Sequence, residues 1–197
     1  RLDYPDALRF LAEKSGIAIP ETREQKSDLD VIYESLSFAG SYFVKSLSET
    51  PGGRLASEYL RARGITPATS QAFGIGYAPQ GWDGLINAAG ALKIQPSVLE
   101  RAGLAIKKEG YYDRFRHRLM IPIKSISGRV IGFGGRALSD EDNPKYLNSP
   151  ETEVYKKGQM LFGFDIAKDH IRESNEAIVV EGYFDLISLH QSGIKNV

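Results

Sequence analysis

Residues 117–138, HRLMIPIKSISGRVIGFGGRAL, constrain the fold of this chain more than any other stretch. Two apolar runs flank a Ser-Gly pair, so the backbone must turn back on itself as a hairpin. Pro122 inside the first run points to an edge or a bulge, because proline has no N–H to give to a ladder. The glycines that follow, Gly132, Gly134 and Gly135, are too irregularly spaced for a phosphate-binding fingerprint. No GxxxxGK[ST] occurs either, which excludes a P-loop nucleotidase.

Helical patterns surround this hairpin. Residues 3–19 place Ala7, Leu8, Leu11 and Ala12 on a short amphipathic helix stopped by Gly16, and the polar PETREQKSD after it reads as a linker. Residues 29–47 carry Ile32, Leu36, Ala39, Phe43 and Leu47 on one stripe of a long helix, with Pro51-Gly52-Gly53 as its breaker. A second helix, LASEYLRARG, closes at Gly64, and Thr66-Pro67 restarts the chain as an N-cap followed by proline at the first helical position. Residues 73–78 and 104–106 are strand candidates, while residues 83–89, 96–102 and 164–173 are helix candidates. Trp82, in PQGWDG, is expected to anchor the core.

At 197 residues, 42% hydrophobic, the chain can bury a core. No apolar run approaches the roughly 18 residues of a membrane-spanning helix, so no membrane role is expected. RLDYPDALRF has neither the basic nor the apolar region of a signal peptide. The absence of cysteine rules out disulfides and thiolate metal sites and fits a cytoplasmic protein. Net charge is zero, yet from Lys107 to Arg136 eight lysines and arginines face only Glu109 and Asp113. That asymmetry describes either a basic surface beside an acidic site or an ordinary solvated hairpin. Arg114, Arg116 and Arg118 alternate, and on a strand they share one face. Such a face suits phosphate, or else guards a solvated edge against pairing. His117, on the opposite face, reads as a packing or surface histidine.

The segment AIVVEGYFDLISL, residues 177–189, carries the clearest chemical motif. The β-branched run Ile178, Val179, Val180 predicts a buried strand, and helical spacing begins at Tyr183. Glu181 therefore falls at the C-terminal end of a strand, where ligands and metals collect in open α/β sheets. Asp185 follows one helical turn later. An acidic residue is also what a helix N-terminus favours by its dipole, and Asp185 is equally a helix-surface charge. A second apolar strand is expected at residues 194–197.

GRVIGFGGRAL (128–138), PKYLNSPET (144–152) and VVEGYFDLISL (179–189) resemble the bacterial DNA primases, the DnaG-type RNA polymerases. YLRARGIT, FGIGYAPQGWDGL and YYDRFRHRLMIPI agree with that family in the same order. The resemblance covers most of the chain from about residue 30 onward. It implies an α+β fold: the helical and mixed α/β N-terminal subdomain of a primase core, followed by the first strand and helix of the α/β fold shared by topoisomerases and primases (TOPRIM). Residues 1–20 then resemble the tail of a zinc-binding domain, 21–29 a linker, 30–172 the N-terminal subdomain and 173–197 the start of the TOPRIM subdomain.

The activity implied is synthesis of short RNA primers on single-stranded DNA by metal-dependent nucleotidyl transfer. By resemblance Glu181 is a catalytic carboxylate and ligand for Mg2+ or Mn2+, with Asp185 as a catalytic accessory. The family's Asp-x-Asp partner is expected beyond Val197 and its Zn2+ ligands before Arg1, so the chain reads as an excerpt, inactive alone. By resemblance Arg63, Arg136, Lys145, Tyr146 and Asn148 are expected to contact nucleic acid and nucleotide, and the alternating Arg114 and Arg116 are candidates for the same surface. Single-stranded DNA, ribonucleoside triphosphates and, through a C-terminal domain, a replicative helicase are the implied partners. Two other readings remain: a related TOPRIM nuclease or topoisomerase using the same glutamate, and a non-catalytic single-stranded DNA-binding module.

Overall fold

The computed structural model describes residues 4–15, 27–139 and 142–197. Helix α1 (Tyr4–Ser15) forms where the apolar spacing predicts it, with Phe10 and Leu11 exposed. Gly16, the linker up to residue 26 and the Leu8 side chain lie outside the described residues. Helix α2 (Asp28–Glu49) begins at a reciprocal cap: Ser27 Oγ accepts Asp30 N at 3.2 Å and Asp30 Oδ2 accepts Ser27 N at 3.3 Å. Its stripe of Ile32, Leu36, Ala39 and Phe43 is buried as expected.

Pro51-Gly52-Gly53 starts a helix as well as ending one. Thr50 closes α2, its hydroxyl donating to Ser46 O at 2.7 Å, and opens α3 (Pro51–Ala62) by accepting Gly53 N at 3.0 Å. Proline at the first helical position sacrifices no hydrogen bond, so the predicted breaker is a corner. Gly64 takes the expected left-handed conformation (φ 73°), and Thr66 caps α4 (Pro67–Phe73). The predicted strand at 73–78 shrinks to β1 (Gly76–Ala78), because Phe73 still belongs to α4.

Helices α5 (Gly84–Ala91) and α6 (Pro96–Arg101) lead to a small hairpin of β2 (Ala105–Lys107) and β3 (Tyr111–Asp113). The predicted large hairpin is present as β4 (Arg118–Lys124) and β5 (Val130–Ala137), turning at Gly128. With β6 (Tyr146–Asn148) they form an antiparallel sheet of order β1-β4-β5-β6. Pro122 meets both readings of its position. β1 pairs with β4 only as far as Met120, leaving that side open at Pro122, and the register slips at Ile123/Lys124.

Met120 and Phe133 pack with Ile32, Leu36 and Phe43 of α2 on one face of the sheet. Leu119 and Ile121 pack on the other with Leu60 of α3 and with Phe184 and Ile187 of α8 (Tyr183–Gln191). Burial on both faces explains why the hairpin runs are almost continuously apolar. Helix α7 (Phe164–Ser174) precedes α8. Gln191 ties α8 across the molecule: its Nε2 donates to Gly64 O at 2.8 Å, and its Oε1 accepts Thr66 N at 2.9 Å.

Four expectations fail. Residues 178–180 are extended but not a strand: Ile178 and Val179 are 42% and 84% exposed, and one ladder-like bond joins Ile178 N to Asn196 O at 2.9 Å. Residues 194–197 likewise form no strand, although Val197 is buried. A β-branched run becomes a buried strand only when neighbours take up its N–H and C=O groups, and the described residues supply that pairing at one point. Arg114, Arg116 and Arg118 do not share a strand face, because β3 ends at Asp113 and His117 adopts a left-handed φ of 50° before β4 begins. Trp82 is no core anchor, being 63% exposed.

Candidate nucleic-acid interface

Lys145, Tyr146 and Asn148 lie at and just before edge strand β6. Ala137 N donates to Lys145 O at 2.9 Å, while the Lys145 side chain is exposed. Ser149 fastens the far end of the strand, its N donating to Phe133 O at 2.8 Å and its Oγ accepting Phe133 N at 2.9 Å. The edge thus holds its polar side chains on a fixed backbone.

Arg136 reaches this strand from β5. It is only 8% exposed, donates to Ala137 O, and lies 5.3 Å from the Tyr59 ring and 5.5 Å from the Tyr146 ring. Its guanidinium is therefore a buried cation between aromatic faces, not the open surface charge the sequence suggests. Arg63 covers Tyr59 at 5.3 Å and Phe184 at 5.6 Å. The Tyr59 hydroxyl and Arg136 Nε are buried without a hydrogen-bond partner among the described residues. Arg114 bonds Asn148 O at 3.2 Å. Arg118, which bonds Pro144 O at 2.7 Å, holds the chain entering β6. Burial lowers the affinity of both guanidinium groups for their proton, yet arginine stays charged.

Glu181 and Asp185 stand at the start of α8. Asp185, in the first turn of this helix, reaches back to its N-cap, its Oδ2 accepting Gly182 N at 3.1 Å. Glu181 is exposed and lines a cleft of ≈660 Å³ shared with Tyr146, Asn148, Lys157 and Tyr183. Tyr183 links the two halves. Its hydroxyl donates to Asn148 Oδ1 at 3.1 Å, its ring sits 4.8 Å from Phe162 edge to face, and burial keeps its phenol protonated. Among the described residues, no three His, Cys, Asp or Glu side chains gather as a metal site.

Of the residues singled out in the sequence, Tyr146, Asn148 and Glu181 line this cleft, Lys145 and Arg136 neighbour Tyr146, Arg114 bonds the Asn148 carbonyl, and Arg63 packs over Tyr59 and Phe184, which do not line it. Arg116 stands apart, stacked 4.2 Å over Trp82. Sequence reasoning missed Lys157, whose only mark is a Lys-Lys pair in a loop, and Tyr183, hidden inside the glutamate motif. His117 is a packing residue, as expected, its ring 6.3 Å from Tyr77 edge to face, and its Nδ1 also lies 2.8 Å from Asp142 Oδ2.

One carboxyl outside the cleft is tuned by the fold. Asp113 is 5% exposed and accepts Leu85 N at 2.8 Å and Ile86 N at 3.1 Å, capping α5 from β3. Burial pushes it from 3.8 to about 6, opposed by those two bonds and Arg116 and reinforced by Asp83. A raised folded-state value means that Asp113 stabilises the fold most below its unfolded value, and that this stability is lost as pH rises through about 6. Urea denaturation of the wild type should lose about 2–3 kcal/mol more between pH 4 and pH 7 than Asp113→Asn. Parallel curves for the two proteins would contradict this.

Residues 42–168 match the family model for the DNA primase catalytic core, N-terminal domain. A DNA primase of Pseudomonas putida is 43% identical over 204 aligned positions, covering 99% of this chain and 31% of that protein. The chain thus spans about a third of the length of such curated relatives. A DnaG primase catalytic domain solved with single-stranded DNA superposes with a TM-score of 0.79 at 39% identity, covering 87% of this chain and 54% of that one. The zinc-binding and RNA polymerase domains of Aquifex aeolicus primase give 0.78 at 36% identity, covering 99% and 47%.

Proposed function

Because this chain belongs to the DNA primase family, we propose that it forms the template-holding part of a DNA-directed RNA polymerase that makes primers at a bacterial, cytoplasmic replication fork. The observation that carries this reading is the cleft that sets Glu181 beside Tyr146, Asn148 and Lys157, with Lys145 and Arg136 at its border. Cations and aromatic faces on a rigid strand suit single-stranded nucleic acid, whose phosphates need charge and whose bases need stacking surfaces.

In this reading Lys145 and Lys157 engage phosphate as mobile point charges. Arg136 and Arg63 hold Tyr59 and Tyr146 in place and add positive potential beneath the strand. Asn148 offers its amide, oriented by Tyr183. Ribonucleoside triphosphates occupy the end of the cleft nearest Glu181, and residues 173–197 begin the TOPRIM subdomain.

The donor set fits magnesium or manganese as one wall of a site: Glu181 offers an exposed carboxylate and Asp185 keeps one oxygen free of its capping bond. Hard oxygen donors in ones and twos, completed by water, are what Mg2+ takes. When bound, such ions offset the negative charge that builds on the attacking and leaving oxygens. The residues do not fit zinc held by thiolates, since the chain has no cysteine. Zinc and a helicase contact are assigned to other domains of the parent polymerase.

Lys145→Ala tests the reading. Fluorescence anisotropy with an oligothymidylate should show several-fold weaker binding at low salt, and a log–log salt slope shallower by roughly 0.7. Unchanged affinity and slope would remove Lys145 from the interface.

A further inference from the structure

The turn between α3 and α4 grips helix α8 at both of its ends. Arg63 closes α3, one residue before the left-handed Gly64. Its guanidinium lies 5.6 Å from the Phe184 ring, in the first turn of α8 and close in sequence to Glu181. At the other end of α8, Gln191 holds the same turn: its Nε2 donates to Gly64 O at 2.8 Å and its Oε1 accepts Thr66 N at 2.9 Å. Phe184 and Gln191 are roughly 10 Å apart along the helix axis, so Arg63 and Gln191 together brace its length. Between them the seam is apolar, with Ala56 and Leu60 packed with Phe184 and Ile187, and Phe73 5.1 Å from the His190 ring.

We propose that Gln191 is a positioning residue for the nucleic-acid interface: its amide sets the register of α8 on the α3–α4 turn, and with it the place of Arg63 relative to Glu181. Apolar packing is non-directional and tolerates a slide along the helix axis, whereas two hydrogen bonds from one planar amide do not. Stability alone does not call for this amide. Gly64 and Thr66 are exposed, so water would satisfy the same carbonyl and N–H if Gln191 were absent. The choice of side chain is also specific. It donates at one atom and accepts at its neighbour, so glutamate, of the same length, would set a carboxylate against the Gly64 carbonyl. Arg63 is a group whose place matters. It is exposed, and a guanidinium laid on the Tyr59 and Phe184 rings keeps its rim of N–H groups for a phosphate.

The inference deepens the proposed function and rests on it. Anisotropy of a fluorescein-labelled oligothymidylate is followed across a salt series for the 197-residue chain and its variants, with a urea melt of each. Arg63→Ala should weaken binding several-fold and make the log–log salt slope shallower by roughly 0.7, the mark of one lost phosphate contact. Gln191→Ala and Gln191→Glu should reproduce most of both changes. Adding either to Arg63→Ala should weaken binding by less than about twofold more, because the two residues act as one. Phe73→Leu, which loosens the apolar seam without touching the amide, should lower stability and leave the slope unchanged. Gln191 variants that lose stability but keep the wild-type affinity and slope overturn the positioning role and leave the β6 interface intact. So do losses that add in full to that of Arg63→Ala, and a Phe73→Leu slope as shallow as that of Gln191→Ala. An Arg63→Ala chain equal to wild type removes the group being placed and overturns it as well. A Gln191→Ala chain found unfolded by far-UV circular dichroism does the same, since the amide would then hold the fold and not the register. Failure of the wild-type chain to bind at low salt overturns the proposed function, and the positioning role with it.

Discussion

Replacing Gly76 with alanine is expected to destabilise this chain by about 3 kcal/mol or more, among the largest losses open to a single methyl group. A Cβ at this position would lie 2.4 Å from the Phe43 carbonyl carbon and 2.7 Å from its oxygen. These are backbone atoms in the middle of α2, so no side chain can swing aside. β1 must move off the helix, and with it the β1–β4 pairing from Gly76 to Ala78. Urea melts followed by far-UV circular dichroism measure the loss. A shift within 0.5 kcal/mol of wild type would mean that β1 and α2 are not in backbone contact. Gly81, with open space around its Cβ position, is the matched control and should tolerate alanine.

Phe133→Ala should cost about 3–5 kcal/mol, the range for deleting a buried phenylalanine and leaving its cavity. Phe133 is 1% exposed, edge to face with Phe43 at 5.3 Å and with Phe115 at 6.4 Å. Its backbone also exchanges two hydrogen bonds with Ser149. The loss should therefore spread to β6 and lower oligothymidylate affinity more than its distance from solvent suggests. Phe133→Leu, which keeps most of the volume, should recover more than half of the stability. Equal losses for both variants would exclude cavity formation as the cause.

What could be read from the chain depended on whether the determining contacts were local. The α2 stripe, the Ser-Gly hairpin and the Thr66-Pro67 cap follow from spacing and turn chemistry within a few residues, and all three are present. The Thr50 corner was misjudged because Pro-Gly-Gly reads as an ending, whereas its second role depends on a hydroxyl shared by two helices. Trp82 was read as core because large aromatics usually bury. Its partner Arg116 lies thirty-four residues away in sequence, and nothing near Trp82 announces it. The three alternating arginines share no strand face because β3 ends at Asp113 and the chain then passes through a positive φ at His117 before β4. Tyr146, Asn148 and Glu181 stand out in the sequence by side-chain type and motif. Their convergence on one cleft through Tyr183 is a tertiary fact that spacing does not encode.

The Gln191 clamp has a consequence for how the molecule assembles. Its two bonds close loops of 125 and 127 residues, whereas the α2 stripe and the β4–β5 hairpin organise within short stretches of chain. Long closures are entropically costly until the surfaces they join exist. Helix α8, which Glu181 precedes by two residues, is thus expected to arrive late: it docks onto a finished α3–α4 turn, and its amides should gain protection from deuterium exchange after those of the hairpin. The candidate carboxylate Glu181, just ahead of α8, is thereby among the last residues to reach its place.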